Sequence, residues 1–379
     1  MRKLKTILFA IAALLFISCT TDDDTLPNQE MSIMAFIVAD NDLDDHALYI
    51  EKDLISGLKS CPLGTEIVIY MDRLNQSPTL KRYTLTNDGK VGVNNIKTYS
   101  EQCSTSPSVF SSVLSDMRSI ISGKRYGLIY WSHGSGWLPN EKSNSSATRA
   151  IGMDNGVSMD IIDMAKSMSK IDAASFMVLD ACFMGCAPVA FELRDVMDYL
   201  IASPAELPGV GFCYSKMLPD LVKCTEQSLS NSLDLFVEAN KTNVYGDSAS
   251  FAIASVIKCN EMENLVRLMH EVVLSSKDAI NTDEMQSFDF KTPHLYYDLG
   301  EYADSIAVDQ SALSSLKVQL DKAIVKTVFT PTIWSMNQSG LISKPITIYS
   351  GLSTFIPGVT NVYYDHAFTK TSWYKEVYE

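Results

Sequence analysis

A histidine and a cysteine each follow closely on an apolar segment of this chain. His133 comes after Tyr126–Trp131 with one serine between, and Cys182 comes directly after Phe176–Ala181. Both segments have the length and composition of buried strands, and sites in open α/β sheets form at the carboxyl ends of strands. An imidazole beside a thiol accepts its proton and yields the nucleophilic thiolate. The pair therefore predicts nucleophilic catalysis, with Cys182 as the nucleophile and His133 as the general base.

The glycines after the histidine leave room for a substrate backbone. The N–H groups of Gly134 and Gly136 are candidate donors to an oxyanion, and the N–H of Cys182 is a further one. Cys186 follows four residues later and is expected to belong to the core. A serine peptidase is disfavoured because the sequence has no Gly-x-Ser-x-Gly elbow.

The elements that must position these residues alternate between strand and helix. Hydrophobic residues make up 46% of the chain, which is enough for a large core. Apolar runs predict strands at Ile33–Ala39, Glu66–Tyr70, Tyr126–Trp131, Phe176–Ala181, Tyr199–Ala202 and Phe251–Ile257, and a strand pair or bent strand at Ile346–Phe355. Helical spacing predicts helices at Ala47–Leu58, Val109–Ile121, Met159–Ser169, Val189–Val196, Leu229–Ala239, Asn260–Leu274, Leu295–Ile306 and Ala312–Val325. This alternation predicts an α/β fold with a mostly parallel sheet sandwiched between helices.

Two connections carry turn signals. Asn87-Asp88-Gly89 lies between two extended segments and predicts a hairpin turn. The stretch Leu138–Ala150 is polar and without periodicity, so it is expected to be an exposed loop.

The N-terminus has the composition of an export signal. Residues 1–18 combine Arg2, Lys3 and Lys5 with an apolar run that is too short to span a bilayer. Cys19 follows a small residue and resembles a bacterial lipidation site, with ordinary signal cleavage as the alternative. Residues 19–30 form an acidic tether similar to the surface-export signal of bacterial lipoproteins. We therefore expect an exported protein, lipid-anchored to the cell envelope or its outer surface.

Charge and cysteine content exclude several function classes. The formal net charge of −14 disfavours nucleic acid as a partner and suits a cationic substrate. The seven cysteines after Cys19 are odd in number and irregularly spaced, which argues against a disulfide framework. No CxxC pair supports a zinc site. The run Asp40–Asp45 has the oxygen ligands of a cation site, but a solvated acidic turn is the simpler interpretation. No cofactor or metal is therefore predicted.

Two motifs carry a resemblance to a known family. Tyr130-Trp131-Ser132-His133-Gly134 and Leu179-Asp180-Ala181-Cys182 place the histidine 49 residues before the cysteine, close to the spacing of about 50 that caspases show. The pair resembles the caspase-like cysteine peptidases and, among them, the clostripain family. Further similar blocks are Asp180–Met184, Ala202-Ser203, Pro208–Phe212, Tyr297–Ala303 and Gly351–Pro357.

The resemblance implies an endopeptidase that cleaves after Arg or Lys with a Cys–His dyad. It implies a caspase-like core at residues 31–235, with C-terminal elements at 236–379 packed on it, and it places Ser203 at the substrate site. Phe212 stands where family members often have Trp, so the shape of the specificity pocket stays open. Clostripain depends on calcium, but this sequence has no EF-hand-like loop, and calcium is left open. We expect a monomer that acts on peptides or proteins with basic residues.

The residues also support a basic specificity directly. Side chains alternate along a strand, so Asp180 leans to the same side as Cys182. A carboxylate there can pair with a guanidinium or an ammonium group. Glu206 is a second candidate for this role. The alternative is that Asp180 caps a helix or anchors a loop.

The spacer between the two motifs is a candidate for self-processing. It contains Lys142 and Arg149, the residue types that such an enzyme cuts, in a stretch expected to be exposed. Related peptidases are processed in the corresponding spacer into two associated chains. We prefer cleavage at Arg149-Ala150, then at Lys142. The alternative is an ordinary surface connection.

Two other functions stay open from the sequence. One is a surface lipoprotein that binds peptide or glycan on the same scaffold without catalysis. The other is a different thiol acyl-transfer enzyme, such as a transpeptidase. The intact His133 and Cys182 pair disfavours the first, because a binding protein does not need both residues.

Overall fold

The computed structural model describes residues 30–139, 149–241, 251–276, 280–337 and 340–379. The strands in these ranges are β1 Met31–Ala39, β2 Glu66–Arg73, β3 Gln76–Leu85, β4 Val91–Thr98, β5 Arg125–Trp131, β6 Gly134–Pro139, β7 Arg149–Asp154, β8 Val157–Asp160, β9 Ala174–Asp180, β10 Met197–Ala202, β11 Ile253–Lys258, β12 Tyr297–Asp298, β13 Ile324–Phe329, β14 Thr332–Asn337, β15 Gly340–Pro345 and β16 Ser353–Thr354. The helices are α1 Asp44–Leu58, α2 Pro107–Ile120, α3 Ile161–Met168, α4 Ala187–Glu192, α5 Tyr214–Leu221, α6 Glu226–Lys241, α7 Met262–Leu274, α8 Leu299–Ile306, α9 Gln310–Ala323, α10 Val362–Phe368 and α11 Ser372–Tyr378.

One large sheet organises the molecule. Its order is β13-β11-β10-β9-β5-β1-β2-β3-β4. The five central strands, from β10 to β2, run parallel. Antiparallel pairs extend the sheet at each edge. The prediction of an α/β fold with a mostly parallel central sheet is confirmed.

The central strands are apolar throughout because helices cover both faces of the sheet. In β1, Ile33 and Ile37 pack into the core beneath α1, α5 and α6. Met34 and Phe36 alternate with them and pack into the opposite core, which α2, α3, α4 and α7 cover. Each of these four side chains is 0% exposed, so both faces contribute hydrophobic stabilisation.

The C-terminal part of the chain continues the central sheet. The division expected at residue 235 falls inside α6, and β11 and β13 extend the same sheet beyond β10. The C-terminal helix α11 packs against α4 and α7. Residues on both sides of the expected boundary therefore share one helix and one sheet.

Several sequence predictions were wrong at the ends of elements. The helix expected to reach Val325 stops at Ala323, and the chain enters edge strand β13. The helix expected from Leu295 begins at Leu299, because Asp298 is its N-cap and accepts a hydrogen bond from the N–H of Glu301 at 3.0 Å.

Other departures concern strands. The expected exposed loop Leu138–Ala150 is wrong at both ends, since Leu138 lies buried in β6 and Arg149 begins β7. Residues 140–148 lie outside the described ranges. The strand expected at Ile346–Phe355 shrinks to β16, while the β14–β15 hairpin was missed. The β3–β4 hairpin is confirmed, with Gly89 at φ +75° in its turn. Among the described residues, no helix is long and apolar enough to cross a bilayer.

Candidate active site

The two strands that precede His133 and Cys182 are neighbours in the sheet. β5 and β9 run parallel, and Trp131 pairs with Asp180 in their register. The N–H of Ser132 donates to the carbonyl of Asp180 at 3.4 Å and extends this pairing. His133 and Cys182 each follow the Trp131–Asp180 pair by two residues. The structure therefore brings them to the same edge, at the carboxyl ends of adjacent strands.

His133 contacts a carboxylate that the sequence analysis did not single out. Its Nε2 lies 2.7 Å from Oδ1 of Asp42, in the turn between β1 and α1. This turn is fixed by Asn41, which accepts from the N–H of Leu43 at 2.8 Å and donates to the carbonyl of Met153 at 2.5 Å. From the sequence, the Asp40–Asp45 run is expected to be a solvated acidic turn. The contact arises because β1 lies beside β5 in the sheet, which places the end of β1 next to His133.

Strand β7 holds the backbone of His133 in place. The N–H of Gly152 in β7 donates to the carbonyl of His133 at 2.9 Å. Ser132 accepts from the N–H of Met153 at 3.2 Å and donates to the carbonyl of Val38 at 2.8 Å. These bonds fix the histidine backbone to both β1 and β7.

The thiol of Cys182 is held by the loop after β10. Its Sγ accepts from the N–H of Leu207 at 3.4 Å and lies 3.6 Å from the carbonyl of that residue. Burial raises the pKa of Cys182 to about 12, against the effect of the Leu207 N–H, and the charges of Glu206 and Asp180 raise it further. Within the described part of the chain, no hydrogen bond joins this thiol to His133. The thiol is therefore protonated at neutral pH in this state.

Asp180 lies beneath the nucleophile and is almost inaccessible. It is 2% exposed, and its Oδ2 accepts from the N–H of Phe212 at 3.1 Å and the hydroxyl of Tyr214 at 2.8 Å. Its Oδ1 is buried and has no hydrogen-bond partner among the described residues. Burial raises the pKa of Asp180 to about 7, although those two donors oppose the shift. Gly211, at φ +60°, lies so close to this carboxyl that a side chain there would collide with it.

The two other predicted substrate residues lie on the loop that holds the thiol. Ser203 is fully buried, and its hydroxyl bonds the N–H and the carbonyl of Ala205, each at 3.2 Å. This turn shapes the loop that carries Glu206. Burial raises the pKa of Glu206, and a hydrogen bond from Ser335 in β14 opposes that shift.

The candidate oxyanion donors lie where β6 meets the corner after β9. A Cβ built on Gly134 would lie 2.8 Å from the carbonyl of Cys182 and from Cβ of Ala181. Only glycine lets the two backbones approach this closely. The N–H groups of Gly134 and Cys182 therefore belong to the same small region.

The side chains of three predicted site residues lie outside the described part of the chain. Cys19 and Lys142 lie outside the described residues, and only the backbone of Arg149 is described, as the first residue of β7. In the part of the chain that is described, no group of three or more His, Cys, Asp or Glu residues is arranged to hold a metal ion.

Comparison with known proteins adds an independent line of evidence. The profile of the clostripain family matches residues 35–379. Clostripain from Hathewaya histolytica is 26% identical over 230 residues, which cover 52% of this chain and 43% of that protein. The matched region therefore spans less than half of that relative's length.

Two solved structures are similar over almost their whole length. An inactive zymogen of a C11 protease from Parabacteroides distasonis superposes with a TM-score of 0.81 at 25% identity, covering 93% of this chain and 99% of that one. A secreted C11 cysteine protease from Bacteroides thetaiotaomicron, in complex with an irreversible peptide inhibitor, gives 0.80 at 25% identity, with coverages of 92% and 98%.

Proposed function

This chain belongs to the clostripain family of cysteine peptidases, and we propose that it is an endopeptidase that cleaves after Arg or Lys. Cys182 is the nucleophile and His133 is the base. The observation that carries this proposal is the placement of both residues directly beyond the paired ends of β5 and β9. The non-catalytic alternative is disfavoured because it gives no reason for this pairing.

The chemistry follows from the two side chains. His133 takes the thiol proton, and the sulfur attacks the carbonyl carbon of the scissile bond. The carbonyl oxygen becomes an oxyanion that the N–H groups of Gly134 and Cys182 stabilise. The imidazolium then protonates the leaving amine. Water, deprotonated by His133, hydrolyses the thioester and regenerates the thiol.

Asp42 orients the base in this scheme. With Nε2 of His133 bonded to its carboxylate at 2.7 Å, Nδ1 is the ring nitrogen left to accept the thiol proton. A carboxylate at this distance also stabilises the imidazolium that forms. Because the side chain of Asp42 is 79% exposed, solvent screens this contribution.

Asp180 is our candidate for the basic specificity. Its buried Oδ1, without a partner among the described residues, is an acceptor that a guanidinium or ammonium group would satisfy. A substrate side chain reaches it only after the segment Gly211–Tyr214 moves. Glu206, half-buried beside the thiol loop, is the second candidate, and Ser203 shapes that loop.

The state described here has the features of a latent precursor. The thiol is protonated and bonded to Leu207, and Asp180 is covered. The similar Parabacteroides distasonis protein is an inactive zymogen. We infer that cleavage at Arg149-Ala150, at the start of β7, relaxes the enzyme into its active state. The link is direct, because β7 donates a hydrogen bond to the carbonyl of His133.

Self-processing is tested with purified wild type, Cys182→Ala, Arg149→Ala and Lys142→Ala. Wild type is expected to give two fragments on a denaturing gel, with a new N-terminus at Ala150. Cys182→Ala is expected to stay intact. Wild type that is fully active as one intact band contradicts processing, and cleavage that persists in Cys182→Ala shows that another peptidase cuts the chain.

We further infer that the protein is exported and anchored by a lipid on Cys19. The similar Bacteroides thetaiotaomicron protein is secreted, and the N-terminal segment has the composition of a signal peptide. Cys19→Ala is expected to move the protein from the membrane fraction to the soluble fraction. Unchanged partitioning contradicts the anchor.

The dyad is tested by single and double substitution. Cys182→Ala and His133→Ala are each expected to lower kcat on a basic peptide by at least ~10³-fold, and the double variant by little more, because the residues act as a unit. Thermal unfolding checks that the variants are folded. A folded single variant with near wild-type kcat contradicts the assignment.

A further inference from the structure

We propose that Tyr296, from the C-terminal part of the chain, is a positioning residue that holds the two halves of the oxyanion site together. The proposal rests on the proposed function above. Its hydroxyl donates to the carbonyl of Ser135 at 2.5 Å. Its ring stacks on Phe183, with centroids 4.5 Å apart and an interplanar angle of 13°. One side chain thus contacts both the glycine strand after His133 and the corner after Cys182.

The hydrogen bond to Ser135 fixes the direction of a candidate donor. In a planar trans peptide, the carbonyl of one residue and the N–H of the next point in opposite directions. Since Tyr296 holds the carbonyl of Ser135 toward itself, the N–H of Gly136 points away from Tyr296. Loss of the hydroxyl removes this restraint on the direction of the peptide.

The stacked ring supports an unusual backbone conformation at the nucleophile. Phe183 has φ +64°, in the left-handed region, which is unfavourable for residues with a Cβ. Its N–H donates to the carbonyl of Ala205 at 3.0 Å. Stacking on Tyr296 adds a second restraint. Together they restrain the backbone that directly follows Cys182, whose own N–H is a proposed oxyanion donor.

The two halves meet at Gly136. This residue has φ +57°, and a Cβ on it would lie 2.5 Å from the carbonyl oxygen of Phe183 and 3.1 Å from Cε1 of Tyr296. The three residues therefore form one close-packed junction, in which movement of one displaces the others.

Tyr296 is itself rigidly held. It is 1% exposed, its N–H donates to Oδ2 of Asp289 at 3.0 Å, and its carbonyl accepts from Phe288 at 2.8 Å. Burial raises the pKa of its phenol well above the ordinary value, so the hydroxyl keeps its proton and remains a donor. A phenol in this position has the rigidity that a positioning role requires.

The experiment separates oxyanion stabilisation from thiol reactivity. Tyr296→Phe keeps the stacked ring and removes only the hydrogen bond to Ser135. We expect kcat on a basic peptide to fall about tenfold, because preorganised donors act in the transition state, with KM changed less than twofold. The rate of Cys182 alkylation by iodoacetamide is expected to stay unchanged. Alkylation by iodoacetamide forms a carbon–sulfur bond and releases iodide. No carbonyl oxygen becomes an oxyanion in this reaction, so it does not depend on the oxyanion donors.

Tyr302→Phe is the matched control. Tyr302 is 4% exposed, lies in the same part of the chain and bonds Tyr378 at 3.0 Å, away from the site. Its variant is expected to keep wild-type kcat. Wild-type kcat in Tyr296→Phe overturns the proposal, and so does an equal fall in kcat and alkylation rate, which indicates a general structural role. Turnover that survives in Cys182→Ala instead overturns the proposed function on which the proposal rests.

Discussion

His133 and Cys182 end neighbouring strands, but they lie in different surroundings. The histidine side faces solvent, where its partner Asp42 is 79% exposed. On the cysteine side Cys182 is partly exposed, but Asp180 beneath it is 2% exposed. The histidine already has its orienting carboxylate, whereas burial raises the pKa of the Cys182 thiol to about 12. His133 is thus already oriented in this state, whereas the Cys182 thiol is protonated and bonded to Leu207. Activation therefore has to bring the thiol together with His133, whose backbone β7 helps to hold.

The two sides also differ in which parts of the chain build them. The histidine is held by β1, β7 and the turn before α1, all within the first 160 residues. The cysteine side is closed by residues from the loop after β10 and by Tyr296. The contact of His133 with Asp42 reaches back over 91 positions, whereas the loop that holds Cys182 follows it by only 25.

The largest change in activity is expected from a substitution of Asp180, on the buried side of the site. Asp180→Asn should lower kcat/KM on Arg or Lys substrates by ~10- to 100-fold, because one charge-assisted contact of about 1.5–3 kcal/mol is lost. Activity on a matched neutral substrate should change little. Glu206→Gln is the control and should have a smaller effect. An equal loss on both substrates assigns Asp180 a structural role only.

A smaller effect is expected on the exposed side. Asp42→Asn should lower kcat/KM about fivefold, since exposed ion pairs contribute only ~0.2–1 kcal/mol. Added salt should reduce wild-type activity toward that of the variant. Asp45→Asn, three residues later at the start of α1 and exposed, is the control and should behave as wild type. A loss of kcat/KM larger than that of Asp180→Asn would contradict the smaller contribution expected from the exposed carboxylate.

The last effect is on stability rather than on activity, and it depends on pH. A free Asp has a pKa of ~3.9, whereas that of Asp180 is raised to about 7. The folded chain therefore binds more protons than the unfolded chain between these values, and stability falls as pH rises through this window. Asp180→Asn removes this dependence, so its free energy of unfolding should exceed that of wild type by up to about 4 kcal/mol at pH 8. The advantage should vanish near pH 4. Thermal unfolding at both pH values measures this, and an equal shift at both contradicts a buried ionisable carboxyl.

The central strands, and the meeting of His133 and Cys182 at one edge of the sheet, were predictable from sequence because their signals are local. The apolar runs before His133 and Cys182 are continuous, and both faces of the sheet are buried. Their carboxyl ends therefore had to meet at one edge. The family motifs indicated the same two residues.

The supporting residues were not predictable, because no local pattern marks them. Asp42 contacts His133 across 91 positions, and Tyr296 reaches Ser135 across 161. Neither has a distinctive neighbour pattern. Strand β13 was missed because its side chains are mostly half-buried, which weakens the hydrophobic signal of a strand. The β14–β15 hairpin was missed because neither strand contains a continuous apolar run, although Asn337 at the end of β14 and Gly340 at the start of β15 are turn-forming residues.

The central claim is that His133 activates Cys182 at the shared end of β5 and β9. It is tested most directly with a peptide that ends in Lys and carries a thiol-reactive group. Processed wild type is treated with this probe, digested and analysed by mass spectrometry, beside His133→Ala and a probe with a neutral residue in place of Lys. The account predicts one adduct, on Cys182, formed faster with the Lys probe and lost in His133→Ala. Labelling of another of the free cysteines, such as Cys103 or Cys213, or an unchanged rate in folded His133→Ala, would contradict it.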